Sequence, residues 1–230
     1  MRKAILATVL LALSTAAIAQ TAATKSAATS ALKGSKTQPV AIIMTSMGDL
    51  TCVLFPKAAP LGTSNFIGLA RGTKDWSDPK TGVKKHGVAL YTNTTFHRVI
   101  PGFMIQGGDP AGTGSGNIGF EFKNESWPSL KFDQPGRLAY ANAGPDTNGS
   151  QFFITEVPYP SLNGNYTIFG QCDAASVELV KKIARVPTGA NDRPRTPVVI
   201  KRIKIDDGSP AVSHPAAKPV AKPAAATPAK

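Results

Sequence analysis

The side chains able to do covalent or metal chemistry are few in this 230-residue chain, and they are badly spaced for it. Its three histidines, His86, His97 and His214, are scattered, and Cys52 and Cys172 show no metal-ligand spacing. Ser150 sits in Asn-Gly-Ser-Gln rather than in a nucleophile elbow. His97 and Asp109 would suit two members of a triad, but no serine or cysteine is placed by a motif to complete it. His97, between Phe96 and Arg98, reads instead as a structural, hydrogen-bonded residue. Residues 114–119 match the letters GxGxxG. That fingerprint needs a strand before it and a helix after it. Here Asp109-Pro110 precedes and Phe120-Glu121-Phe122 follows, so a glycine loop beside a site is the better reading.

Two segments remain, FHRVIPGFMIQGGD (96–109) and ANAGPDTNGSQFFIT (141–155). Each sets a cation or amides among aromatic, methionine and glycine residues. Alternation puts Arg98 and Ile100 on one side of a strand, and Phe103, Met104 and Gln106 follow the Pro101-Gly102 turn. The result is an apolar pocket with one fixed positive charge at its rim. Singly, Phe103 and Phe153 read as core and Arg98 as a surface ion-pair partner. Together they ask for a reason to keep an arginine in so apolar a stretch.

The elements that must position these residues are mostly short strands. VAIIMTS (40–46) and LTCVLF (50–55) flank Met47-Gly48-Asp49, a hairpin pattern. Pro60 to Ala70 changes to helical spacing, with Thr63 or Ser64 near its start and Gly72 after its end. Residues 73–92 are polar and broken by Pro79, Gly82 and Gly87, which predicts a long surface loop. Apolar runs follow at 95–100, 103–106, 137–141, 151–155 and 167–172. A second helix near 174–185 turns Val177, Leu179, Val180 and Ile183 inward, and PVVIKRIKI (197–205) alternates as a last strand. About eight strands and two short helices predict a mainly β fold, a closed antiparallel barrel that leaves no open edge.

The ends have a different composition. Residues 1–19 have a basic start, an apolar run too short to span a bilayer and a closing Ala17-Ile18-Ala19, the layout of a cleaved signal peptide. Residues 20–38 and 207–230 have too little to bury and are expected to be a disordered linker and a Pro/Ala/Lys tail, the tail a spacer or an inert solubilising segment. The folded domain is assigned to 39–206. The chain carries 26 basic and 14 acidic residues, but the eight basic residues of the two ends leave 18 against 14 over residues 39–207, a net charge of only +4. Nucleic acid is therefore not an expected partner. The expected setting is outside the cytoplasm, in a periplasm or secreted, with no membrane span. Cys52 and Cys172 then read either as a disulfide or as small core residues.

The two pocket segments closely resemble the signature regions of the cyclophilin family of peptidyl-prolyl isomerases. The likeness extends through GDLTCVLFPKAAPLGTSNFIGLARG (48–72) and SLNGNYTIFGQ (161–171), and so covers essentially the whole domain. The resemblance implies an eight-stranded barrel capped by two helices, no cofactor, and rotation about X-Pro bonds in polypeptides. It marks Arg98, Gln106 and Asn142 as catalytic, with Gln106 orienting Arg98. Phe103, Met104, Ala141, Phe153, Leu162 and Tyr166 become the substrate-binding set. Ser161 stands where the best-known members carry a tryptophan that holds cyclosporin, so weak or no binding of that drug is expected. Tyr166 replaces a pocket histidine. A monomer is expected, assisting folding of exported proteins; a proline-binding module without turnover is the alternative.

Overall fold

The computed structural model describes residues 38–207. The leader at 1–19, nearly all of the linker and all of the tail beyond Asp207 lie outside the described residues.

Eight strands close a barrel: β1 (Val40–Thr45), β2 (Gly48–Leu54), β5 (Thr94–Ile100), β6 (Met104–Gly107), β7 (Arg137–Tyr140), β8 (Phe152–Thr155), β9 (Ile168–Cys172) and β10 (Val198–Asp206). Their order around the wall is β1-β10-β5-β6-β8-β7-β9-β2, and every pairing is antiparallel. Two helices, α1 (Pro60–Arg71) and α2 (Ala174–Ala184), pack against the barrel. The closed barrel with two helices is the fold expected from the sequence. Among the described residues no helix is long and apolar enough to cross a membrane.

Period two explains how thin strands carry two apolar faces. Inward, Leu50, Ile105, Leu138, Tyr140, Phe152, Ile154 and Phe169 join the helix residues Phe66, Leu69, Val180 and Ile183 in one core. Outward, their neighbours Met104, Ala139, Phe153 and Ile168 join Phe132 and Leu162 in a second, smaller cluster. Phe66 anchors the inner core, with ring centroids 5.0–5.5 Å from Phe169, Tyr91 and Phe152. Cys52 and Cys172 face each other across β2 and β9 and are joined by a disulfide.

Both helices begin where the spacing places them, at Pro60 and Ala174, and the capping carries the difference. α1 begins at Pro60, before Thr63 and Ser64, and its N-cap Ala59 supplies no side-chain bond. Glu125 caps it from a distant loop instead, accepting the Leu61 and Gly62 N–H groups at 2.9 and 2.7 Å. α2 has a local cap, Asp173, whose carboxylate accepts the Ser176 N–H at 2.7 Å. The segment 73–92 is also more than a surface loop. It carries a ribbon, β3 (Trp76–Ser77) with β4 (Lys84–Lys85), and buries Trp76, Leu90 and Tyr91 in the core. Trp76 Nε1–H donates to the Val88 carbonyl at 2.9 Å and the Tyr91 hydroxyl to the Ser150 carbonyl at 3.0 Å, so polar composition hid three anchors.

Candidate active site

The site is assembled on the outer face of β5, β6, β8 and β7. Strand register places Arg98 opposite Gln106, Gln106 opposite Phe153, and Phe153 opposite Ala139. These four residues form one row across four strands. Arg98 and Phe153 are two strands apart, roughly 10 Å between backbones, a span suited to one peptide unit and a ring.

Arg98 reaches this row because of a bulge. The β5–β6 register shifts between Phe96 and Arg98, so Phe96 and the extra residue His97 are both buried in succession. Without that insertion, alternation from Phe96 would turn Arg98 into the barrel; with it, Arg98 faces outward beside Ile100. The next turn is equally specific. Phe103 N–H donates to the Ile100 carbonyl at 3.1 Å across Pro101-Gly102, and Gly102 has φ of 71°, the left-handed value that favours glycine after proline in such a turn. Glu156 secures this corner. Its carboxylate accepts the Gly102 N–H at 2.9 Å and pairs with Arg185 at 2.7 Å, while its own N–H donates to the Phe103 carbonyl.

The apolar half of the site is an aromatic box. Phe132 and Phe153 lie 5.8 Å apart with planes 15° from parallel, and Tyr166 meets both edge-on. Met104 and Leu162 belong to the same cluster, and Ile100, Phe103, Ala141 and Tyr166 pack against it. The polar half is a cleft of about 280 Å³ lined by Gln106, Ala141, Asn142, Gln151 and the 114–117 loop. Gln106 and Ala141 join the halves: Gln106 by its place in the row, Ala141 by its contacts on both sides. Gln106 Nε2–H donates to Gln151 Oε1 at 3.1 Å, and Gln151 Nε2–H donates to the Gly114 carbonyl at 3.0 Å. Asn142 Nδ2–H donates to the Asn165 carbonyl at 3.0 Å.

Of the nine residues singled out by sequence, Phe103, Met104, Ala141, Phe153, Leu162 and Tyr166 share the apolar cluster, Gln106, Ala141 and Asn142 line the cleft, and Arg98 stands opposite Gln106 on the sheet. The structure differs over two details. The close partner of Arg98 is Asp192, with Nε and Oδ2 3.5 Å apart, whereas the amide of Gln106 bonds to Gln151. His97 is buried, but neither ring nitrogen has a hydrogen-bond partner among the described residues, contrary to the bonded residue expected. Burial holds its pKa below the ordinary histidine value; Asp109 opposes this, and Arg193 and Arg98 add to it. Asp109 itself is occupied by the glycine loop. Burial works to raise its pKa, but the N–H groups of Gly114, Ala111, Thr113 and Gly116 outweigh that and hold it below the usual carboxylate value. Gln151, Phe132 and Asp192 were missed. Gln151 and Phe132 lie within or near recognisable segments; Asp192 comes from a remote loop with no local signal.

Comparison with known proteins agrees with this geometry. Residues 40–205 match the family model described as cyclophilin type peptidyl-prolyl cis-trans isomerase/CLD. Peptidyl-prolyl cis-trans isomerase A of Mycobacterium tuberculosis is 51% identical over 166 residues, covering 72% of this chain and 91% of that protein. Peptidyl-prolyl cis-trans isomerase B of Streptomyces anulatus is 47% identical over 171 residues, 74% of this chain and 97% of that protein. A crystal structure of a Cryptosporidium parvum cyclophilin type isomerase aligns with TM-score 0.63 and 36% identity, over 77% of this chain and 99% of that one. The same protein, crystallised in the presence of the dipeptide Ala-Pro, aligns with TM-score 0.60 and 37% identity over 73% and 98%. With its barrel, its two helices and its groove built as described, this chain belongs to the cyclophilin-type peptidyl-prolyl cis-trans isomerases.

Proposed function

We propose that the groove binds proline-containing segments of unfolded polypeptide and that Arg98 is the residue that accelerates their isomerisation. The observation carrying this reading is the row Arg98–Gln106–Phe153, which sets Arg98 two strands from an aromatic box. Phe103, Met104, Phe153 and Leu162 would hold the proline ring, with Tyr166 as a wall. Ala141 and Asn142 would meet the peptide backbone, and Gln106 would help orient the carbonyl.

The chemistry needs no nucleophile. An X-Pro bond rotates over a barrier of about 20 kcal/mol, and turnover near ~10³ s⁻¹ requires removing roughly 7 kcal/mol of it. In the twisted state amide resonance is lost, the proline nitrogen regains a lone pair and the carbonyl swings out of plane. A guanidinium that bonds better to that state lowers the barrier selectively. Hydrogen bonds to a charged group contribute about 1.5–3 kcal/mol each, so pocket positioning must supply the rest.

The composition of the chain's ends and the disulfide support a setting outside the cytoplasm. A signal-like residues 1–19 segment and a buried Cys52–Cys172 bridge both suit an oxidising compartment, periplasmic or extracellular, where the clients would be exported proteins. Ser161 in place of a drug-holding tryptophan supports weak cyclosporin binding. One assay tests the core of the reading: protease-coupled isomerisation of an Ala-Pro-Phe reporter by the 20–230 chain, with and without the drug. Arg98→Ala should lose most turnover while keeping its melting temperature. Near wild-type activity in that variant would refute the role given to Arg98, and nanomolar inhibition would refute the drug expectation.

A further inference from the structure

Two consecutive non-glycine residues, Asn191 and Asp192, hold left-handed backbone angles, with φ of 59° and 56°. Such conformations cost energy and persist only where surrounding structure over-determines them, most often at functional sites. The surroundings here are explicit. Gly189 N–H donates to the Arg193 carbonyl at 2.8 Å, Arg195 N–H to the Pro187 carbonyl at 2.8 Å, and Arg195 Nε–H to the Thr188 carbonyl at 3.0 Å. Thr188 and Pro194 form an isolated bridge. Arg193 donates to the Gly112 carbonyl, which ties the loop to the segment just before the glycine-rich wall of the cleft. The second strained residue, Asp192, is thereby delivered to the guanidinium of Arg98, Oδ2 lying 3.5 Å from Nε.

We infer that Asp192 is a positioning residue for the isomerase reaction, holding the Arg98 guanidinium by its Nε edge. The edge it takes is the useful point. Nε is the inner end of the fork, so a carboxylate beside it draws the guanidinium toward the loop and leaves its outer Nη groups for a substrate carbonyl. An Arg side chain on an open strand face otherwise samples many rotamers, and holding it in advance lowers the ordering needed as the carbonyl twists. Both side chains are nearly half exposed, 43% for Arg98 and 49% for Asp192, so the pair is open to water and salt. Its effect is accordingly modest. The catalytic arginine is set from the β10 side by a loop tied to Gly112, while its strand neighbour Gln106 is engaged with Gln151.

This inference rests on the catalytic role given to Arg98, and the test separates the two. Steady-state isomerisation of the reporter peptide would be measured for the wild type, Asp192→Ala, Asp192→Asn and Arg98→Ala, alongside the NMR signal of the Arg98 Nε–H. Asp192→Ala should lower kcat about two- to fivefold with little change in KM, as loss of a half-exposed pair implies. The Arg98 Nε–H should exchange faster with water in that variant. Asp192→Asn, which keeps an acceptor but no charge, should fall between. Raising salt should reduce wild-type kcat toward that of Asp192→Ala and leave the variant nearly unchanged. Unchanged kcat with an unmoved Nε–H signal would overturn the inference, and so would a rise in kcat, which would make Asp192 a competitor of the substrate. An active Arg98→Ala would instead overturn the role of Arg98.

Discussion

The two faces of β6, β7, β8 and β9 use the same residue types for opposite ends. Phe152 and Phe153 are adjacent, both phenylalanine and both more than nine-tenths buried, at 0% and 5% exposure. Phe152 points into the closed core, where Phe66, Tyr91 and Phe96 meet it edge-on. Phe153 points out of the barrel into a box completed by Phe132 and Tyr166. The inner face is sealed by helices and by closure of the sheet, so its apolar area contributes to folding. The outer face is covered by the 130–132 and 159–166 segments with Phe55, Ile100 and Phe103, and it is where the proposed function seats a proline ring. Burial alone therefore does not separate an aromatic sealed in the core from one on the outer face; what lies beyond the ring does.

The sharpest way to break that distinction is to cut the inner wall where it is covalently closed. Cys52 and Cys172 both belong to the inner core and bridge chain segments 120 residues apart. A loop of that length implies that removing the bridge lowers stability by about 4–5 kcal/mol in the chain-entropy account. That is a large part of the ~5–15 kcal/mol expected for a domain. Cys52→Ala with Cys172→Ala should shift the denaturant midpoint sharply, while kcat/KM at 25 °C for the molecules that remain folded stays near wild type. A large loss of turnover per folded molecule would mean that the two faces are coupled through β9.

A matched pair of truncations sharpens the same contrast. Phe152→Ala should cost about 3–5 kcal/mol of stability, the usual range for a sealed aromatic site, with kcat/KM preserved in the folded fraction. Phe153→Ala should cost on the order of 2 kcal/mol, because the open side of the box can admit water, while kcat/KM falls about tenfold or more. Chemical denaturation and the isomerisation assay on both variants check the crossing pattern. Equal stability losses with equal activity losses would erase the distinction between the faces.

Much of this was legible in the sequence, and the failures have physical causes. Strand alternation, the switch to helical spacing at Pro60 and the Pro101-Gly102 turn are local signals, so the barrel and the pocket segments emerged. Residue type and resemblance together located Arg98, Gln106, Phe153 and Tyr166. What failed was long range or compensatory. Glu125 caps a helix more than sixty residues earlier, and no spacing rule reaches that far. Asp192 looks like an ordinary loop acid until the fold brings it to Arg98. Trp76 and Tyr91 lie in a polar stretch whose average composition masks two buried rings. The bulge at His97 is invisible to a period of two, because it is a break in that period.

His97 lies between the two faces, and it supplies the smallest predicted effect. It is buried on the bulge that turns Arg98 outward, and its ring nitrogens have no hydrogen-bond partner among the described residues. Burial lowers its folded pKa; Asp109 pulls the other way, and the cations Arg193 and Arg98 reinforce the lowering. In the unfolded chain the group titrates near its ordinary value of about 6.5. Above that pH neither state binds the proton, and the contribution of the neutral ring is fully present. As pH falls below it, the unfolded chain takes up a proton that the folded protein refuses, so stability declines until pH passes through the lowered folded value. Melting temperatures at pH 7.5 and 5 should therefore differ more for the wild type than for His97→Gln, which cannot titrate. If the two proteins lose the same number of degrees, the acid sensitivity lies in the carboxylates, and the bulge is held by packing rather than by the charge state of its histidine.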